Sequence, residues 1–207
     1  MARLRGESSV PEIRLVVVDD HIPTREAIVK ELSDGGVIRV VGEAQTSDEA
    51  WKVSRDLLPD IVLLDLHLPG LIQTFDLVKR LTALRNVRVI MYASQGKHSE
   101  VPDLLEAGAF GYVLKTDPPA LIRMSILMVY RGSKGVVSPA LPRHVTHLSP
   151  DERALLRQIT QKGKFIKAAQ RMGITESEVM SRVLELCLKL DLDEADKLVK
   201  WAKKHDF

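Results

Sequence analysis

Leu15-Val16-Val17-Val18-Asp19-Asp20 runs from four apolar residues straight into two acids, and Ile61-Val62-Leu63-Leu64-Asp65 repeats the design. A run that is apolar at every position fits a strand covered on both faces, as in a parallel sheet between helices. Such a strand delivers its terminal carboxylates to the carboxyl edge of the sheet, where open α/β folds bind ligands. Three carboxylates at one edge repel each other unless a cation lies between them, and hard divalent Mg²⁺ suits oxygen ligands. A metal beside a spare aspartate is the equipment for phosphoryl transfer onto that aspartate. The bland alternative is that Asp19, Asp20 and Asp65 merely cap strands or helices.

Working outward, strands alternate with helices. Strands are expected at Leu15–Val18, Val37–Ala44, Ile61–Leu64, Val87–Tyr92 and Gly111–Leu114. Helices are expected at Thr24–Leu32, at Ser47–Leu57 with a Ser cap, and at Phe75–Leu84, Ser99–Ala107 and Pro118–Tyr130. This alternation predicts a doubly wound α/β domain with a five-stranded parallel sheet over residues 12–130. Residues 131–147, rich in Gly, Ser and Pro, read as a linker. From 148 to 207 the period changes to four short helices: Ser149–Thr160, Ile166–Met172, Glu176–Leu190 and Asp193–His205.

Composition bounds the function. The 207 residues are 45% hydrophobic, enough for one large or two modest cores. The single cysteine, Cys187, excludes an internal disulfide and fits a reducing cytoplasm. No apolar stretch approaches a membrane span and the start lacks a signal-peptide core, so no membrane partner is expected. The net charge of +2 does not announce nucleic acid by itself, but it is unevenly placed. Residues 1–130 carry 15 Lys+Arg against 18 Asp+Glu, whereas residues 148–207 carry 12 against 10. The basic excess therefore lies in the linker and tail.

Three motifs carry a family resemblance: Val17-Val18-Asp19-Asp20-His21, Asp65-Leu66-His67-Leu68-Pro69-Gly70, and Gly108-Ala109-Phe110-Gly111-Tyr112-Val113-Leu114-Lys115. In this order and spacing, residues 13–130 resemble the flavodoxin-like receiver domain of bacterial two-component response regulators. The whole chain is similar to the NarL/FixJ subfamily, whose tail is a LuxR-type helix-turn-helix. The resemblance implies that Asp65 accepts a phosphoryl group from a histidine kinase. It implies Mg²⁺ held by Asp20, Asp65 and the backbone carbonyl of His67, with Asp19 bound through water. It also implies that Lys115 pairs with the phosphate and that Tyr112 belongs to the switch. Phosphoryl transfer needs charge neutralisation more than covalent help, so the residues suit that role. Neither His21 nor His67 has a second histidine at the spacing of a transition-metal site.

Two features depart from the family. A Thr or Ser is expected at the end of the fourth strand, where counting back from Gly108 gives Ala93 and then Ser94. Ser94 reaches that place only if the strand end shifts by one residue, which reverses the side-chain direction. Leu71-Ile72-Gln73-Thr74 also replaces a short polar turn, so its apolar residues either restrict access to Asp65 or form a contact surface.

The tail departs further. Gly173 and Thr175 suit the turn and cap before a recognition helix at Glu176–Leu190, which the family docks in the major groove. Where the family carries a lysine, this chain has Met180. Met180, Leu184 and Leu188 share one stripe, whereas Val179, Val183, Leu186 and Leu190 already supply a core side. The stripe is either a protein contact or, with the register off by a residue, ordinary core. Candidate DNA contacts are Lys164, Lys167, Ser181, Arg182 and Lys189, with Lys162 and Arg171 nearby. The resemblance places a homodimer contact on the last helix; the alternative is packing of Ala195, Leu198, Val199 and Ala202 within the tail. The leading expectation is a phosphorylated, DNA-binding transcription regulator, not an enzyme. The alternative is an adaptor acting through protein contacts with weak or no phosphorylation and DNA binding. A metal-dependent phosphatase is disfavoured, because no separate general acid is apparent.

Overall fold

The computed structural model describes residues 12–34, 36–95, 100–141, 148–161, 164–190 and 192–207. Its strands are β1 (Ile13–Val18), β2 (Ile38–Ala44), β3 (Ile61–Asp65), β4 (Arg88–Ala93), β5 (Gly111–Leu114) and β6 (Val136–Val137). The connecting helices are α1 (Ile22–Ser33), α2 (Ser47–Leu57), α3 (Thr74–Thr82), α4 (Glu100–Glu106) and α5 (Pro119–Tyr130). The strands form one parallel sheet in the order β2-β1-β3-β4-β5-β6. Chain order reverses at β1, with β2 on one side and β3 on the other. This opens a crevice at the carboxyl ends of β1 and β3.

The apolar runs are explained by burial on both faces. Leu15, Val17, Ile61, Leu63, Ile90, Tyr92 and Val113 join Ile28 and Leu32 of α1 and Ile122, Ile126 and Val129 of α5 in one core cluster. The alternate residues Val16, Val18, Val62, Leu64, Val89 and Met91 are also fully buried. With no polar position in either run, only their ends can carry charge, and there the aspartates stand.

Two expectations need correction. The cap of α2 is Thr46, whose hydroxyl accepts from the Glu49 amide, and Ser47 is already helical. The sheet has a sixth strand inside the stretch expected to be a linker. Gly111 pairs with Val136 and Tyr112 with Val137. Asp117 anchors this strand, accepting from the Leu114 amide through Oδ2 and from the Ser138 hydroxyl through Oδ1, each at 2.8 Å. A two-residue strand among Gly132, Ser133 and Gly135 carries no periodicity, which is why the sequence reads as loop. Residues 142–147 of the expected linker and Ser99 at the expected start of α4 lie outside the described residues.

By contacts the chain divides into two compact units, one ending at Ala140 and the other comprising Leu141–Phe207 with Gly96–Asp103 grouped to it. The second contains α6 (Pro150–Ile159), α7 (Lys164–Met172), α8 (Glu176–Lys189) and α9 (Ala195–Lys204). Capping boxes open α6 at Ser149 with Glu152 and α8 at Thr175 with Glu178. Gly173, at φ +67°, makes the turn between α7 and α8. Leu155, Leu156, Ile159, Val179, Val183 and Leu186 build the core with Leu198, Val199 and Ala202 of α9. Leu198, Val199 and Ala202 of α9 thus pack within their own unit. Among the described residues, no helix is long and apolar enough to cross a membrane.

Candidate functional site at the carboxyl edge of the sheet

Strands β1 and β3 end side by side, with Val18 opposite Leu64, so the residues that follow converge. Asp19, Asp20 and Asp65 each offer a carboxylate oxygen, all within 4.8 Å of one another. Asp19 is fully buried, Asp65 is 5% exposed and Asp20 faces solvent. Lys115, just beyond β5, reaches across with its Nζ 2.7 Å from Asp19 Oδ2 and 3.2 Å from Asp65 Oδ2. Asp19 Oδ1 accepts from the His21 amide and Asp65 Oδ1 from the Leu66 amide.

Burial pushes the Asp65 carboxyl above its ordinary value, outweighing the opposing pull of Lys115. Burial alone would lower the Lys115 ammonium, but its hydrogen bond to Asp19 and the charge of Asp65 raise it. Tyr92 is pushed up to about 12 by burial and by the carboxylates of Asp19, Asp65 and Asp117. Three formal negative charges therefore face one lysine. The oxygen-only donor set and its uncompensated charge fit a hard divalent cation.

Arg25, buried on α1, donates to the Asp19 backbone carbonyl at 2.6 Å and pairs with Glu43 at 3.0 Å. Thr74 donates to the Leu66 carbonyl at 2.8 Å, fixing the loop after β3. Sequence reading missed both residues. Each acts on a main-chain carbonyl six or eight residues before it, a side-chain to backbone relation that leaves no periodic pattern in the chain. The same loop is held by Pro69, which accepts from the Ser47 amide, and by Asp48, which accepts from the Leu71 amide. Leu71 is 91% exposed and does not cover Asp65; Ile72 is half-buried.

Strand β4 runs in unbroken register to Ala93, opposite Leu114, and Ser94 lies exposed beyond its end. No bulge moves the serine hydroxyl into the strand. Tyr112 is fully buried and donates to the Gln95 carbonyl at 2.7 Å. His67 is exposed beside the site.

Among the described residues of the helical unit, the basic side chains are not all free. Lys189 pairs with Glu152 at 2.8 Å. Partial burial works to raise the Glu152 carboxyl, but Lys189 and the Ser149 amide bring it below its usual value. Lys167 and Ser181 are exposed and Arg182 is half-buried, whereas Lys162 and the side chain of Lys164 lie outside the described residues. Met180, Leu184 and Leu188 are 39%, 55% and 83% exposed, so the stripe is not core.

Residues 15–126 match the family described as the response regulator receiver domain. The nitrate/nitrite response regulator protein NarL of Escherichia coli is 28% identical over 204 residues, covering 90% of this chain and 93% of the relative. The probable transcriptional regulatory protein NarL of Mycobacterium tuberculosis is 29% identical over 199 residues, 88% of this chain and 90% of that protein. Among solved structures, the RcsB response regulator of Salmonella typhimurium, studied for conformational dynamism in DNA interaction, superposes with a TM-score of 0.66. It shares 20% identity over 93% of this chain and 100% of its own, a likeness of fold.

Proposed function

The chain belongs to the response regulator receiver family, and from that premise we propose how this response regulator signals. Asp65 accepts a phosphoryl group from a histidine kinase, and the helical tail carries the response to DNA. The observation that carries this reading is Lys115 placed within ion-pair reach of both Asp19 and Asp65. Asp19, Asp20 and Asp65, with the His67 carbonyl, would hold Mg²⁺, which when bound would supply charge neutralisation for the phosphoryl oxygens. Asp65 presents Oδ2 as the nucleophile while the Leu66 amide holds Oδ1 and so orients the carboxylate. As the new phosphorus–oxygen bond to Asp65 Oδ2 forms, the phosphorus–nitrogen bond to the kinase histidine breaks, and its electron pair stays on the ring nitrogen, so the histidine leaves as neutral imidazole with the proton its other ring nitrogen already carried. Lys115 then exchanges its contact with Asp65 Oδ2 for a phosphoryl oxygen. The protein is a signal carrier, not a turnover enzyme, and acts in the cytoplasm.

In this reading Lys167, Ser181 and Arg182, exposed or half-buried on the tail, meet DNA. Lys189 does so only by releasing Glu152. Intact mass after acetyl phosphate and Mg²⁺ treatment tests the receiver. We expect one phosphoryl adduct, absent in Asp65→Asn. An adduct that persists in that variant, or none in the wild type, refutes the assignment. Selection from a random DNA pool at two salt concentrations tests the tail, since phosphate contacts impose a salt slope.

A second reading, an adaptor working through protein contacts, is favoured by the surface of α8. Its outward residues include Glu176, Glu178 and Glu185 beside Met180, Leu184 and Leu188. Acids and large apolar groups oppose phosphate contacts. Failure of the random pool to yield any bound DNA would select this reading.

A further inference from the structure

Between α1 and α5 the receiver holds a cavity of about 400 Å³. We infer that it is a binding site for a small amphipathic amine, a molecule with an apolar body and one ammonium group. Its volume lies within the range of small-molecule sites, roughly 300–1,000 Å³. Ile28 of α1 and Pro119 and Ile122 of α5 give it apolar walls, and Tyr92, Lys115 and Asp117 give it a polar end. Tyr92 is 3% exposed, yet its hydroxyl makes no hydrogen bond among the described residues. The ring is rooted in β4 and packs in one cluster with Ile28 and Ile122, so the hydroxyl at its far end is the part that meets the cavity. A covered phenol ordinarily finds a partner, and one without a partner that lines a cavity points to a ligand.

Charge selects the occupant. Lys115, the cation of the lining, is already held by Asp19 and Asp65, at 2.7 and 3.2 Å. The buried Asp117 accepts from the Leu114 amide and the Ser138 hydroxyl, both neutral donors, so no cation balances it among the described residues. Glu31, exposed on α1 and also part of the lining, has no ion pair among the described residues. Arg123 of α5 uses its donors on the backbone carbonyls of Glu31 and Leu32. An anion would therefore meet two unbalanced carboxylates and a lysine that is already paired. An ammonium group is attracted by the same carboxylates and can donate to the Tyr92 oxygen, whose lone pairs are free. The remaining apolar walls suit a single ring or a short chain. Because Lys115 lines the cavity and also bridges Asp19 and Asp65, an occupant bears on the acidic edge. The receiver thereby gains a chemical input separate from a kinase.

Titration of the full chain, read by amide NMR shifts, tests the site with probes of one shape: phenethylamine, phenethyl alcohol and phenylacetate. The readout is binding in the absence of any phosphodonor, so it is distinct from the test of Asp65. Phenethylamine should give saturable shifts at Ala27, Ile28 and Ile122 and bind about tenfold more tightly than the alcohol, with phenylacetate weakest. Glu31→Gln should weaken the amine about threefold and leave the alcohol unchanged. Tyr92→Phe keeps the ring in the core and should weaken the amine about fivefold by removing its hydrogen-bond acceptor. Ala27→Trp, at an exposed position of the lining, should fill the cavity and abolish the shifts, with circular dichroism confirming the fold. No saturable shift, equal binding of the three probes, tightest binding of phenylacetate, or shifts at Ile28 and Ile122 that persist in Ala27→Trp would each overturn the proposal. Unchanged amine affinity in both Glu31→Gln and Tyr92→Phe would do so even if the tryptophan variant failed to fold.

Discussion

The Nζ of Lys115 lies 2.7 Å from Oδ2 of Asp19, a carboxylate with no solvent exposure. Lys115 itself is mostly covered, so the pair is a buried one whose worth is seen on breaking it. Lys115→Met leaves two buried carboxylates, Asp19 and Asp65, without their cation. The expected loss is about 3 kcal/mol in EDTA, the lower end for an orphaned buried charge. Added Mg²⁺ should recover part of it. Urea unfolding under both conditions is the check, and unchanged stability in EDTA would count against this electrostatic account.

Asp65 should destabilise the metal-free protein at neutral pH. Because burial raises its carboxyl above 3.8, the folded state holds that proton more tightly than the unfolded chain. Stability therefore falls as pH rises from about 3.8 through the folded value, and the deficit persists above it. Asp65→Asn removes this titration while Lys115 keeps Asp19. In EDTA it should be more stable at pH 7 by about 1 kcal/mol, with the gain shrinking toward pH 4. Chemical unfolding of both proteins across this range measures it; a variant less stable at pH 7 would reverse the argument.

The five-strand alternation and the acidic edge were legible in the chain because both depend on local pattern. Strands buried on two faces tolerate no polar residue, so Asp19 and Asp65 mark strand ends without any structure. What was not legible depends on side-chain bonds that no local periodicity encodes. Arg25 bonds the Asp19 carbonyl, and Asp117 holds Ser138 across 21 residues. Strand β6 exists through that anchor and its pairing with β5, not through its two valines alone. Exposure of the Met180–Leu188 stripe was readable only as a choice between two faces of α8, which the packing of Val179 and Val183 decides.

Ala93 should make the switch sluggish. The residue closes β4 in regular register, is 1% exposed and has no hydroxyl to follow a phosphoryl group. A hydrogen bond to a charged group contributes about 1.5–3 kcal/mol, enough to shift a two-state balance by ten- to a hundredfold. Amide exchange over residues 92–95 and at Tyr112 should change little when the wild type binds beryllofluoride, a phosphoryl mimic. In Ala93→Thr the change should be larger. Equal, large responses in both proteins would show that Tyr112 or Ser94 already does the coupling.

Gly70 is the position where the loop after β3 tolerates least. Its φ of +133° is strained for any residue with a side chain. A Cβ there would stand 2.7 Å from Asp48 Oδ2, and closer still to Ser47 Oγ, with the Ser47 backbone nitrogen at 3.1 Å. The side chains can turn away, but the backbone nitrogen is fixed by its bond to Pro69 at 2.9 Å. Gly70→Ala should therefore cost about 2 kcal/mol, combining backbone strain with displacement of the Leu71–Asp48 bond. With the His67 carbonyl in the proposed ligand set and on the same loop, Mg²⁺ affinity should fall with stability. Thermal unfolding and Mg²⁺ titration of Tyr92 fluorescence measure the two effects. Weakened stability with unaltered Mg²⁺ affinity would separate the loop's anchor from the metal site and remove the His67 carbonyl from the ligand set.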